Sequence, residues 1–202
     1  YTQMIFSSSR NGATGDDIDL RTGESYMDLW ITTRDNKGKW GEPTVLDATI
    51  NTEHNEGASI LNAKGTNLYF TRCPVIKKEN VGCDILVAPK SGKSFKAATS
   101  LGLKGDAEGS DSITVGHPAI NKRETLIIFA SDMAGGQGGK DLWYSLYNKR
   151  EKSWGTPVNL GPSINTAGDE LFPYLDKDEN LYFSSNGHIG LGGLDMFKAE
   201  KT

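Results

Sequence analysis

The chain has no apolar run approaching the ~18 residues that would cross a bilayer, so nothing in it reads as a transmembrane span. It also has no long segment of 3.6-residue periodicity. With 24 glycines, that leaves many short strands and turns. Basic residues never cluster with interleaved aromatics, and the net charge is only −4, so nucleic acid is not an expected partner. Catalytic signatures are missing too: there is no G-x-S-x-G elbow, no H-E-x-x-H and no Asp-box repeat. The chain is expected not to be an enzyme, and no cofactor is expected. It still has 202 residues, 36% of them hydrophobic, with seven Phe, seven Tyr and four Trp, so it can bury a sizeable core and disorder is excluded.

Cysteine occurs only twice, at Cys73 and Cys83, with no further Cys or nearby His to complete a zinc set. The two bracket a loop between neighbouring β-runs, where their Cβ atoms could approach to about 4 Å, as a disulfide requires. The alternative is a pair of separate buried thiols. A bridge is the expectation, and it favours an oxidising compartment such as the periplasm or cell exterior.

What the chain does have is one unit written four times. A β-run ending in Phe leads through a loop, glycine-rich in most copies, to an Asp that opens a second run, followed by an aromatic turn. The Phe landmarks are Phe6, Phe70, Phe129 and Phe183; the Asp landmarks are Asp28, Asp84, Asp141 and Asp195; the aromatic turns carry Trp40, Phe95 and Trp154. All recur every 54–64 residues, the size of one supersecondary unit whose neighbours supply its core. The joins W-G-E-P-T-V-L-D-A-T-I-N-T-E-H-N-E (40–56) and W-G-T-P-V-N-L-G-P-S-I-N-T-A-G-D-E (154–170) share one register, whereas the second join lacks the I-N-T stretch.

Each unit reads as four strands: A (as in Ala58–Leu61, His117–Ile120 and Leu171–Leu175), B (Met4–Ser8, Asn67–Arg72, Leu126–Ser131, Asn180–Ser185), C (Asp28–Thr33, Asp84–Ala88, Asp141–Leu146, Asp195–Ala199) and D (Pro43–Leu46, Pro157–Leu160). Polar A–B and C–D connections have hairpin chemistry. The expected fold is therefore all-β, a β-propeller of four-stranded antiparallel blades, over a β-sandwich that has no reason to repeat its turns. Expected blades span about 1–52, 53–109, 110–166 and 167–202 within a single partial propeller. The chain opens at a strand B, without an initiator Met or leader, and stops after a strand C. That gives fourteen strands where about sixteen would close a ring, so the terminal blades are expected to be incomplete parts of a larger ring.

The unit D-E-L-F-P-Y-L…N-L-Y-F-S-S-N-G-H-I-G-L-G-G-L-D-M-F (169–197) resembles the WD40-like PD40 repeat of TolB-type periplasmic propellers. The W-G-x-P-V-N-L-G-x-x-I-N-T-x-x-D-E variant is similar to repeats in Bacteroidetes OmpA-family outer-membrane lipoproteins of the PorE type associated with type IX secretion. The resemblance covers the whole chain and is weakest in blade two. It implies a non-catalytic protein-interaction scaffold in the periplasm, associated with the outer membrane. It also implies protein partners of the cell envelope, with peptidoglycan reached through domains outside this segment. The alternatives are a glycan- or peptidoglycan-binding propeller and the accessory domain of a hydrolase.

Other constellations have plainer readings. The G-G-Q-G-G-K-D (135–141) and G-L-G-G-L-D (190–195) loops lead into strands, where a phosphate cradle needs a helix N-terminus. The repeated aspartates are expected to accept hydrogen bonds from turn amides. D-x-D-x-N at Asp176, Asp178 and Asn180 lacks the rest of a calcium loop. His54, His117 and His188 occupy different repeat positions, so no shared metal site is expected. Variable loops 10–27, 73–83 and 103–116 are expected to present contact surface on one rim, and the blade-one loop, which carries Arg10, Asp16, Asp17, Asp19, Arg21 and Glu24, is the candidate partner-binding patch.

Overall fold

The repeated β-runs fold into four antiparallel sheets in the computed structural model, which describes residues 2–14, 18, 19, 23–76, 81–105 and 108–201. The first blade holds β1 (Gln3–Ser8), a hairpin of β2 (Ile18–Asp19) and β3 (Glu24–Ser25), then β4 (Asp28–Thr33) and β5 (Thr44–Val45), with sheet order β1-β4-β5. The second holds β6 (Asn55–Leu61), β7 (Asn67–Cys73), β8 (Asp84–Ser91), β9 (Ser94–Phe95) and β10 (Thr99–Ser100). The third holds β11 (Val115–Ile120), β12 (Leu126–Ser131), β13 (Asp141–Asn148), β14 (Ser153–Trp154) and β15 (Val158–Asn159); the fourth holds β16 (Glu170–Leu175), β17 (Leu181–Ser185) and β18 (Asp195–Ala199). β9 and β14 prolong the hairpins that leave β8 and β13. The arrangement is all-β, a four-blade propeller arrangement of antiparallel sheets.

Register explains the landmarks. Phe6 faces Trp30 across the sheet, Phe129 faces Trp143, Phe183 faces Phe197, and Phe70 faces Leu86. Because side chains alternate along a strand, the L-Y-F and I-I-F runs serve both faces of their sheets. Leu68 and Phe70 point to the core shared with the first blade, while Tyr69 points to the core shared with the third. Ile127 and Phe129 face the second blade, and Ile128 and Ala130 face the fourth. Three apolar cores thus lie between four sheets. β6 packs on β1 and β4, β11 on β6 and β7, and β16 on β11 and β12, so β6, β11 and β16 are the inner strands. Phe70 and Phe129 are fully buried.

The I-N-T-x-x-x-E stretch acts as a latch between blades. Asn51 accepts from the Leu29 amide (2.9 Å) and donates to the Leu29 and Leu46 carbonyls; Asn165 binds Leu142 in the same way (2.8 and 3.0 Å). The fully buried Glu56 accepts from Thr52 and from the Arg72 guanidinium (2.7 Å), and Glu170 accepts from Thr166 and Ser185. At the second joint, which lacks this stretch, the Lys104 ammonium donates to the Gly82 (2.9 Å) and Asp111 carbonyls instead. Burial pulls the Lys104 pKa below the usual lysine range. Cys73, at the end of β7, is disulfide-bonded to Cys83, just before β8.

Candidate functional site

The loops that join the second and third strands of each blade gather at one end of the molecule with the blade-to-blade joints. There three of the four Asp landmarks meet a loop amide. Asp28 accepts from Thr14 N (2.5 Å), Asp141 from Gln137 N and from Asn159 Nδ2 (2.9 Å), and Asp195 from Leu191 N (2.6 Å). Among the described residues, Asp84 accepts from its neighbour's amide, Ile85 N (2.8 Å). Burial raises the Asp28 pKa, and the bonds from Thr14 oppose the rise. The glycine-rich loops of blades three and four both lie against the joint between those blades. A Cβ on Gly138 would sit 2.4 Å from Thr166 O, and one on Gly187 1.8 Å from Thr166 Oγ1. Close backbone approach is what those glycines provide.

Within the variable loop, Arg10 stacks over Phe6 (5.0 Å) and Trp30 (5.3 Å), covering the outward face of the first sheet. Glu24 accepts from Ser9 Oγ (2.9 Å). Asp19 pairs with Glu24 in the β2–β3 hairpin, whose Ile18 is 54% exposed. Asp16, Asp17 and Arg21 lie outside the described residues. The histidines are apart: His54 Nδ1 accepts from Val75 N (3.3 Å), and His188 Nε2 lies 2.7 Å from Ile164 O. Asp176 accepts from Asp178 N and Asn180 N (2.9 Å each), a turn closed on itself. Among the described residues, no three His, Cys, Asp or Glu side chains gather as a metal site.

A feature that the sequence did not signal sits on the inner strands. Ala58, His117 and Phe172 all have positive φ (33°, 54° and 52°), each at a β-bulge where the register slips. Such backbone is costly for residues with a Cβ. The His117 and Phe172 rings stack in near-parallel planes 4.1 Å apart, and Thr71 Oγ1 accepts from His117 N (2.8 Å). Burial, with repulsion from Lys140, lowers the His117 pKa from 6.5 to about 4.

The opposite end is formed by hairpin turns 34–39, 62–66, 90–96, 121–125, 148–152 and 176–180. They carry Arg34, Lys37, Lys39, Lys64, Lys90, Lys93, Lys96, Lys122, Arg123, Lys149, Arg150, Lys152 and Lys177, more than half of the chain's 22 basic residues. Of its 26 acids they carry only Asp35, Glu124, Glu151, Asp176, Asp178 and Glu179. Charge is therefore segregated by end, although no stretch of sequence is strongly basic. A cleft of about 700 Å³ opens here between blades two and three. Two smaller hollows adjoin it, and Arg123 borders all three. Glu124 (φ 54°) reaches back across the blade boundary and accepts from Asn62 (2.8 Å), Asn67 (3.0 Å) and Tyr69 (2.8 Å). Burial works against its charge, but those bonds win and hold its pKa below the usual glutamate range.

No family model matches the chain, and no curated protein sequence matches it. Among solved structures, the chain is similar to TolB from Acinetobacter baumannii, with 10% identity, a TM-score of 0.52 and coverage of 98% of this chain and 38% of that one. It is also similar to an alpha-L-arabinofuranosidase from Lactobacillus brevis, with 11% identity, a TM-score of 0.58 and coverage of 95% and 64%. The chain thus spans less than two thirds of either structure's length. At such identity the likeness is one of fold, and that fold is a TolB-like β-propeller.

Proposed function

We propose that the chain is a non-catalytic propeller module that displays loops to protein partners in the periplasm, within an outer-membrane-associated assembly such as the repeat resemblance implies. The observation that carries this reading is how the repeated polar side chains are used. Asp28, Asp141, Asn51, Asn165, Glu56 and Glu170 are buried and hydrogen-bonded within the chain's own loops and joints. They form a frame, and the variation between blades is left to exposed loops. The Cys73–Cys83 disulfide suits an oxidising compartment. Photo-crosslinking in the native envelope tests the reading, with the reactive residue placed at Ile18 or, as a control at the other end, at Lys177. A discrete protein adduct from Ile18 alone supports display by the loop end. No adduct at Ile18, or hydrolysis of peptides or arabinosides by the purified chain, would replace this reading with that of a hydrolase accessory or catalytic domain.

A further inference from the structure

We infer that the cleft between blades two and three is a binding site for a short anionic oligosaccharide, such as a chain of uronic acids. One wall is aromatic: Trp154 is only half-buried, and Tyr147 meets it edge-on with ring centroids 5.2 Å apart. The equivalent landmark one blade earlier, Phe95, is buried at 5% exposure inside the first core, so that joint is filled where this one stands open. The opposite side presents Thr99, Ser100 and Asn67, whose hydroxyl and amide groups suit sugar hydroxyls. Three cations, Arg123, Lys149 and Lys152, border the opening and are exposed. Among the described residues, Glu124 is the one acid on the lining, and its carboxylate is already held by Asn62, Asn67 and Tyr69.

Each part selects for the same ligand. A partly exposed indole offers an apolar plane for a pyranose face, and the cations require negative charge on that sugar, which the planar guanidinium of Arg123 can pair bidentately. The volume falls in the ordinary range of roughly 300–1,000 Å³ for small-ligand sites. A flat lipid surface would engage the turn tips but leave the recessed Trp154 and Tyr147 without a role. The site lies at the end opposite the variable loop, so it is independent of the display reading above.

Titration of the purified chain with tetragalacturonate, followed by tryptophan fluorescence and calorimetry, tests the inference beside maltotetraose, inorganic phosphate and a single-stranded oligonucleotide. The uronate chain should bind at least ten-fold more tightly than maltotetraose, and added salt should weaken it. Lys149→Glu combined with Lys152→Gly should lower uronate affinity ten-fold or more without lowering the unfolding midpoint, because glycine accepts the positive φ of Lys152 (56°). Trp154→Phe copies the residue that blade two carries as Phe95; it should keep the fold yet lose the fluorescence change and several-fold in affinity. Uronate binding no tighter than that of maltotetraose, or unaffected by the lysine changes, would overturn the assignment. Equal or tighter binding of phosphate or the oligonucleotide would overturn it too, leaving a general anion-binding patch.

Discussion

At the scale of single residues, side chains hold backbone that their own chemistry disfavours. Ala58 has positive φ with a small side chain to anchor it, so Ala58→Gly should raise stability by about 0.5–1 kcal/mol in urea denaturation. His117 shares that backbone but stacks on Phe172, and its pKa of about 4 has a consequence for acid stability. Below pH 6.5 the unfolded chain binds a proton that the folded chain refuses until about pH 4. Its contribution is therefore complete above pH 6.5, declines between 6.5 and 4, and is level below that, amounting to up to about 3 kcal/mol. His117→Asn, which tolerates positive φ, should flatten that part of the pH–stability curve; a slope equal to that of the parent chain would remove His117 as its source. The Asp landmarks were legible in the sequence because they recur. The positive-φ positions were not, because Ala, His and Phe share no residue-level signal for that backbone. The aromatic turns were read as equivalent, but packing separates them: Phe95 is buried, whereas Trp154 stays half-exposed.

At the scale of elements, the joints between blades were the most readable part, since I-N-T-x-x-x-E stood in the same register twice. The sequence did not disclose what the motif does: its Asn satisfies the backbone of the residue after the Asp landmark. Asn165→Ala would leave the buried Leu142 amide and carbonyl without that partner, costing about 2–3 kcal/mol by chemical denaturation. The inner strands start one to three residues before their expected first residues, at Asn55, Val115 and Glu170, because the bulge breaks the alternation that marks a strand. Blade two lacks the glycine-rich loop, and the disulfide closes the connection in its place. By the loop-entropy argument, Cys73→Ser with Cys83→Ser should cost about 2–3 kcal/mol, and reductant should lower the unfolding midpoint of the parent chain but not of the double variant.

At the scale of the whole molecule, the propeller arrangement was legible because apolar runs buried on both faces, repeated at a fixed period, admit few other packings. The basic end was not, because its residues are scattered through six short turns that only a meander topology brings together. Burial between sheets should dominate stability: Phe129→Ala, in the middle core, should cost about 3–5 kcal/mol. Met4→Ala, on the outward face of the first sheet and 41% exposed, should fall within about 1 kcal/mol of the parent. Three cores shared pairwise also mean that no centre is common to all four sheets. The second and third sheets each belong to two cores, while the first and fourth each belong to one. Detaching a terminal sheet breaks a single interface, so amide protons in β1 and β18 should exchange with solvent deuterium through partial openings, while those of β7 and β12 wait for global unfolding. The molecule should therefore come apart from its two flanks inward, as a stack does, rather than all at once.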